Sequence, residues 1–282
     1  MKSLLLSIVL FISGLFAKDY SMEKPLIVTT ISPYNHFIQR IVGEKYEVLC
    51  IIPQSKNPHL FEPTTKQMQK IAKATIWFSM GESFENQISP AIKRANPKIQ
   101  MIDLCDDLDL IADSHHKKAQ DRHVWLSPKI LQKQLISITK ILNKTFSDDE
   151  KRFEKNLTQI IAELKNLDAE LTTMLSDLKN KAVLVTHPDF TYFCKDYELE
   201  QLPIEKFGNS PTGKLLQNYL NKIKTKNIKL IFHQPQYSDI GAKALSKQTK
   251  LPIIIIDPFS SDYTHNLLSF ARSLKESYVT SP

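Results

Sequence analysis

Apolar residues recur along this chain in short runs that predict buried strands, with amphipathic helical patterns between them. The runs fall at about residues 26–30, 46–52, 75–78 and 99–104, and again at 182–186, 200–203, 228–232 and 252–256. Near-continuous apolar strands that alternate with helices are typical of parallel sheets covered on both faces. We therefore predict an α/β fold with two parallel sheets flanked by helices, one in each half of the chain.

A long polar helix is predicted between the two halves, from Ser147 to about Asn180. Its apolar residues recur at spacings of three and four, and no Gly or Pro interrupts it. Ser147 and Glu150 fit a capping box at its start. At ~1.5 Å per residue such a helix would be about 50 Å long, which exceeds the width of a small domain. We interpret it as a spine that joins two lobes; a single domain built around one long helix is the alternative.

The first 17 residues have the pattern of a secretory signal peptide. Lys2 precedes an apolar run from Leu4 to Phe16, and Ala17 precedes a polar stretch. The run is short for a membrane span. No cysteine lies there to carry a lipid, so we predict a free periplasmic protein cleaved near Ala17. The predicted divisions are a signal peptide at 1–17, an N-terminal lobe at 18–146, a linking helix at 147–180 and a C-terminal lobe at 181–282.

Charge and cysteine content narrow the classes of partner. The net charge of +7 comes from 37 basic and 30 acidic residues, and the lysines are scattered rather than clustered with aromatic residues. That distribution does not favour a nucleic-acid partner. The three cysteines, Cys50, Cys105 and Cys194, have no C-x-x-C spacing, so a structural zinc cluster is not predicted. We expect buried free thiols, with at most one disulfide as the alternative.

Four polar residues occupy comparable places beside the predicted strands. His59 lies in the loop after the second strand and His123 lies just before a helix, while His187 and Asp257 directly follow strands. Ligands of open α/β sheets bind beyond the carboxyl ends of strands. Two residues come from each half, so a cleft between lobes would bring them together. Three imidazoles and one carboxylate suit Zn²⁺ and tolerate Mn²⁺ or Fe²⁺.

The segments around these residues resemble those of a known family. NPHLFEPT is similar to D-P-H-x-Y/F-E-P-S/T, and DRHVWLSP is similar to D-P-H-V/I-W-L-S/D-P. VTHPDFTYF is similar to a segment that begins H-D-A-F/Y, and IFHQPQYS and IIIDPF follow in the expected order. The chain thus resembles the solute-binding proteins of bacterial zinc and manganese ABC importers, the ZnuA/TroA-like family.

The resemblance implies two lobes joined by a long rigid helix, with a metal ion held between them. It implies His59, His123, His187 and Asp257 as the ligands, and a membrane permease as the partner. In the family, His at the position of His187 accompanies zinc, whereas Glu is typical of manganese binders. Zinc is therefore expected ahead of manganese or iron, although the Asp257 oxygen would suit Mn²⁺.

The sequence also departs from the family pattern. Arg122 stands where Pro is usual, Pro188 where Asp is usual, and Gln234 where an acidic residue is common. We expect these changes to affect the surroundings of the ligands rather than their identity. His233 is expected to have a structural role, with a further polar group near the site as the alternative.

Zinc importers of this family often carry a long loop rich in His and acidic residues before the second ligand. Here the loop is short and offers only Asp113, His115 and His116. It is either an accessory loop that captures metal or a solvated turn, and the sequence favours neither.

We expect a monomeric carrier rather than an enzyme. A zinc hydrolase needs an open coordination position and a nearby base. The chain has no H-E-x-x-H, and Glu62 belongs to the E-P-T turn. An adhesin with the same fold is the other alternative class. A rigid spine would limit closure of the lobes, so metal release is expected to depend on small local shifts.

Overall fold

A computed structural model of the chain describes residues 23–112, 120–205 and 213–279. The predicted signal peptide and the loop residues Asp113, His115 and His116 lie outside these ranges. Every apolar run predicted as a strand forms one. The strands are β1 Leu26–Thr29, β2 Glu47–Cys50, β3 Ile76–Ser79, β4 Gln100–Asp103, β5 Ala182–Val185, β6 Glu200–Pro203, β7 Ile231–His233 and β8 Ile253–Ile255.

Helices connect and cover these strands. They are α1 Ser32–Val42, α2 Thr65–Ile71, α3 Ser83–Ala95, α4 Pro128–Thr145, α5 Glu150–Leu175, α6 Thr191–Asp196, α7 Gly213–Thr225, α8 Ile240–Thr249 and α9 Tyr263–Val279. Short 3₁₀ turns form at Pro58–Leu60, Val124–Leu126, Ser147–Asp149 and Ser176–Leu178.

The strands form two four-stranded parallel sheets with the same topology. The strand order is β2-β1-β3-β4 in the first sheet and β6-β5-β7-β8 in the second. The central strands β1, β3 and β5 are buried along their whole length, whereas the edge strands are partly exposed. Because the winding reverses between the two central strands, each sheet has a crevice at their carboxyl ends. The predicted fold class is confirmed.

The long helix between the sheets is present but shorter than predicted. Helix α5 has 26 residues, or about 39 Å at ~1.5 Å per residue, and a 3₁₀ turn extends it at each end. The predicted capping box is wrong, since Ser147 lies in the preceding turn and Asp149 stands at the helix boundary. The Asp149 carboxylate accepts hydrogen bonds from Lys45 at 2.7 Å and Tyr46 at 2.6 Å. The side chain at the start of this helix is therefore used in contacts with distant residues and does not cap the helix.

Helix α5 contacts elements of both halves. Its buried stripe packs against α1 and α4 on one side and α9 on the other. Asn156 donates to the Ile41 carbonyl at 2.9 Å, and Tyr197 donates to Asp168 at 2.9 Å. The helix thus touches the helices of the first sheet and the second half of the chain. The exact lobe boundaries at 146 and 181 stay a prediction.

Aromatic residues of the second half stack on one another and also contact the segment before α4. Phe270 of α9 stacks on Phe190 and Phe232, with ring centroids 4.6 and 4.3 Å apart. Tyr263 at the start of α9 donates to the Trp125 carbonyl at 2.7 Å. Trp125 in turn donates from its indole to the Pro258 carbonyl at 2.8 Å. These contacts hold the segment before α4 against the second half of the chain.

The cysteines are free, as predicted. Cys105 and Cys194 are buried and Cys50 is partly buried, and none is in a disulfide. Burial raises the pKa of the Cys50 and Cys105 thiols to about 12. Thiolates at these positions are therefore disfavoured at neutral pH.

Within the described ranges, no helix combines the length and the apolar character that a membrane crossing requires.

The packing of α5 gives the first prediction. Leu171 is fully buried in the stripe, so Leu171→Ala should lower the free energy of unfolding by about 2–5 kcal/mol. Lys165→Ala, on the exposed face of the same helix, should change it by no more than about 0.5 kcal/mol. Urea unfolding measures both. Equal effects would contradict the assignment of the apolar stripe to the interior.

Candidate metal centre

Three of the four predicted ligands meet between the two sheets. The ring centroids of His59, His123 and His187 lie 5.3–5.7 Å from one another. Each ring offers a nitrogen, and these nitrogens all lie within 4.8 Å of one another. Two of the residues come from the first half and one from the second. The cleft predicted from the strand ends therefore brings these three imidazoles together.

His59 is held by a short turn and by the start of α3. Its backbone N–H donates to the Asn57 side chain at 2.9 Å, which caps the Pro58–Leu60 turn. Its Nδ1 lies 3.2 Å from an oxygen of Glu82, the residue that caps α3. The imidazole is 39% exposed and is the most accessible of the three.

His123 is held by Asp121, two residues before it. One Asp121 oxygen accepts from the His123 backbone at 2.9 Å and lies 2.8 Å from the ring Nδ1. The Asp121 carbonyl accepts from the Tyr192 hydroxyl at 2.7 Å, so a residue of the second half supports this segment. The ring Nε2 lies 3.0 Å from an oxygen of Asp189.

His187 directly follows β5 and is fixed by the Gln234 amide. The Gln234 side-chain oxygen accepts from the His187 N–H at 3.1 Å, and its nitrogen donates to the His187 carbonyl at 2.7 Å. The ring stacks on Tyr237 with centroids 3.9 Å apart and planes 8° apart. Its Nδ1 lies 3.2 Å from Glu205. The Gln234 departure from the family pattern thus provides a donor that a carboxylate lacks.

The same arrangement recurs at all three histidines. Each Nδ1 lies beside a carboxylate of Glu82, Asp121 or Glu205, so Nε2 is the nitrogen of each ring that is left for a metal ion. A carboxylate on the outer nitrogen fixes the tautomer and makes the other nitrogen a better metal ligand. Sequence reasoning missed these carboxylates. Glu82 and Glu205 follow β3 and β6 within three residues, so the strand-end rule that found the histidines would have included them.

Asp257 is engaged by hydrogen bonds. One of its oxygens accepts from Gln236 at 2.8 Å and from the Phe259 N–H at 2.9 Å, and the other accepts from Gln54. Among the described residues, the group of ligand atoms that all lie within 4.8 Å of one another consists of the three histidines and includes neither Asp257 nor Asp189. The structure thus brings three of the predicted ligands together, whereas the fourth, Asp257, accepts hydrogen bonds from side-chain and backbone amides.

The charges in the cleft shift the pKa values of the buried rings. Burial favours a neutral His123, but Asp121 and Asp189 outweigh it and raise the pKa of that ring well above its usual value. At His187 burial dominates and lowers the pKa, despite Asp189 and Glu205. Burial would raise the pKa of Asp189, but His187 and His123 lower it. The metal-free site therefore pairs an anionic Asp189 with a protonated His123 ring, which must release its proton before its nitrogen can bind a cation.

Arg122 ties the segment before His123 to the first sheet. Its Nη1 donates to the Met80 carbonyl at 2.8 Å and to Asp103 at 2.8 Å. The guanidinium crosses Gly81, where φ is +76° and an added Cβ would lie 1.9 Å from Nη1. Gly81 is thus required both by its backbone angle and by this close approach.

His233 contacts the Thr186 hydroxyl through its Nδ1 at 3.0 Å.

The fold and the site together define a class of protein. Two parallel α/β lobes that hold a small, inward-facing set of ligands between them are typical of the solute-binding proteins of importers. The chain belongs to the ZnuA family, the periplasmic component A of zinc-uptake complexes, whose family model matches residues 27–278. The resemblance noted from the sequence is confirmed.

Individual relatives agree with that membership. The high-affinity zinc uptake system protein ZnuA of Bacillus subtilis is 31% identical over 247 residues, 82% of this chain and 77% of that protein. The zinc-binding protein AdcA of Streptococcus pyogenes is 28% identical over 92% of this chain, which spans 56% of AdcA. A crystal structure of a zinc-bound ZnuA deletion mutant has a TM-score of 0.85 at 28% identity, covering 92% of this chain and all of that one.

The Gln234 amide gives the second prediction. Gln234→Glu removes the donor to the His187 carbonyl and places two oxygens against each other in a fully buried position. We expect the free energy of unfolding to fall by about 1–3 kcal/mol, the usual cost of an unsatisfied buried group. Gln217→Glu, on the exposed face of α7, is the matched control and should change it little. Equal thermal unfolding of the two variants would contradict this role for Gln234.

Proposed function

We propose that this protein captures Zn²⁺ between its lobes and delivers it to the membrane permease of an ABC importer. The observation that carries the proposal is the three-histidine group, in which every Nδ1 is held by a carboxylate and the remaining nitrogens converge. Borderline nitrogen ligands favour Zn²⁺ over Mn²⁺, and Fe²⁺ or Mn²⁺ carriage is the alternative within the same family. The names of the zinc-binding relatives support the same cargo.

The rest of the proposal follows from the sequence. We propose that residues 1–17 direct export and are removed near Ala17, so that a monomeric carrier works in the periplasm without nucleic acid as a partner. The family's description as periplasmic supports this location. His59, His123 and His187 would supply three nitrogen ligands. Asp257 is the candidate for a fourth ligand that the resemblance implies.

A hydrolase is the competing class, and the carboxylates of the site argue against it. A catalytic zinc needs an open coordination position, and a hydrolase also places a general base beside the bound water. Glu82, Asp121 and Glu205 each contact the outer nitrogen of a histidine instead. In that position they orient ligands and face away from an ion held by the inner nitrogens.

Loss of one buried ring should abolish binding. In native mass spectrometry the parent should carry one zinc per chain, and His123→Ala should carry none. It should also lose the zinc-dependent thermal shift, which in the parent corresponds to about 2.7 kcal/mol at ~100 Kd. His265→Ala, on the exposed face of α9, is the control and should keep both. If His123→Ala retained one zinc and a full shift, the proposed site would be wrong.

Zinc binding should also depend on pH. A metal must displace the proton of His123, whose pKa is raised by Asp121 and Asp189. The protonated ring stabilises the zinc-free fold most below its unfolded pKa of ~6.5, and this contribution is lost as pH rises through the folded pKa. The gap in melting temperature between zinc-loaded and zinc-free protein should therefore widen from pH 6 to pH 8. A gap that stays constant over that range would contradict this account.

A further inference from the structure

Asp189 lies in the metal site, although neither the spacing of the sequence nor the family pattern suggested it. It belongs to the segment VTHPDF, in which Pro188 separates it from His187. The family segment H-D-A-F/Y has its acidic residue directly after the histidine and an Ala at the next position. In this chain Pro188 directly follows the histidine, and the carboxylate of Asp189 stands where the family has Ala. The Asp189 side chain is completely buried.

The carboxylate contacts the ring nitrogens that face the centre. Its Oδ1 lies 3.0 Å from His123 Nε2 and 3.8 Å from His187 Nε2. The Tyr237 hydroxyl donates to the same oxygen at 3.2 Å. The other oxygen, Oδ2, is buried and has no hydrogen-bond partner among the described residues. A fully buried carboxylate oxygen without a partner is costly and calls for an explanation.

The distances match those between ligands of one ion. Ligand atoms that lie about 2.0–2.2 Å from a tetrahedral Zn²⁺ are separated from each other by about 3.3–3.6 Å. The separations of Asp189 Oδ1 from the two Nε2 atoms, 3.0 and 3.8 Å, lie on either side of that range. Small adjustments would give a zinc ion all three atoms at once. His59, on its short exposed turn, is the ring that has freedom to close on the ion from the other side.

Asp257 differs from Asp189 in the engagement of its oxygens. Both Asp257 oxygens accept hydrogen bonds, from Gln236, Phe259 and Gln54. An ion bound by Asp257 would compete with these donors, whereas Asp189 has one buried oxygen without a hydrogen-bond partner. Binding through Asp189 would place a cation beside the carboxylate that has a buried oxygen without a hydrogen-bond partner. The direct contact between Asp189 and His123 would be replaced by an ion that both residues bind.

We propose that Asp189 supplies the oxygen ligand of the metal site, which then consists of His59, His123, His187 and Asp189. This assignment rests on the proposed function, since it identifies the fourth ligand of the same ion. A carboxylate between two imidazoles also offsets part of the charge of the cation in a buried place. Asp257 then holds Gln54 and Gln236 together at the rim of the cleft.

The test compares three Asp→Asn variants of the mature protein. Asp189→Asn should lower the affinity for Zn²⁺, measured by competition with a chromophoric chelator, by roughly 100-fold or more, beyond the 10–100-fold typical of outer-shell changes. Asp257→Asn should lower it by less than about tenfold, as expected for a residue that does not touch the ion. Asp239→Asn, at an exposed ion pair with Lys243, is the control and should leave it unchanged.

The visible spectrum of bound Co²⁺ shows whether Asp189 is a metal ligand or only positions His123. Asp189→Asn should change the intensity and position of the cobalt bands, because the ligand set changes. A loss of affinity with an unchanged cobalt spectrum would overturn the proposal and make Asp189 a positioning residue. Zinc affinity within tenfold of the parent would also overturn it.

A crystal structure of the zinc-loaded parent, with the ion located by its anomalous scattering, keeps the proposal testable if Asp189→Asn does not fold. An Asp189 oxygen should lie about 2.0–2.2 Å from the zinc. An ion whose oxygen ligand comes from Asp257 or from water would overturn the assignment. Failure of the proposed function is distinct, since the parent itself would then bind neither zinc nor cobalt.

Discussion

The contact between each histidine and its carboxylate is the interaction on which the candidate centre depends. A histidine ring in a cleft has two nitrogens, and only one of them can face an ion. Glu82, Asp121 and Glu205 contact the outer nitrogens and thereby settle which atom faces inward. These carboxylates lie on different elements, so the two sheets and the segment before α4 must all be in place before the inner nitrogens converge.

That requirement explains the many contacts between the two halves near the sheets' carboxyl ends. Tyr192 supports Asp121 from α6, and Trp125 and Pro258 are joined through the indole N–H. Helix α5 lies behind these contacts and packs against α1, α4 and α9. With both the site and the spine joined in this way, a wide hinge motion would break buried hydrogen bonds on several elements at once. This arrangement favours small local shifts over a wide hinge motion, and metal release by such shifts stays a prediction.

Much of this architecture could be predicted from the sequence because it depends on local patterns. Apolar runs identified the strands of the described residues except β6, a short strand of mixed residues, and the rule that ligands bind beyond strand ends singled out His59, His187 and Asp257. The start of α5 could not be predicted in the same way. Ser147 has the right chemistry for a cap, but the contact of Asp149 with Lys45 and Tyr46 depends on residues about a hundred positions away.

The candidate site shows the same limit. The histidines are recognisable by their joint placement and by the family segments around them, whereas a carboxylate near a strand end often serves as a cap. The strand-end rule includes Glu205 but does not separate it from other acidic residues. It selects Asp257, which directly follows a strand, whereas Asp189 lies four residues beyond the end of β5. The structure separates them by the engagement of their oxygens, which sequence spacing does not encode.

The exposure of the three rings indicates the route by which an ion reaches the centre. His123 and His187 are nearly buried, with side chains 12% and 8% exposed, and they lie on segments held by several hydrogen bonds. His59 is 39% exposed and is carried by a three-residue turn. His59, with Glu82 behind it, is therefore the ring that an ion from solvent meets first, and the two buried rings lie beyond it.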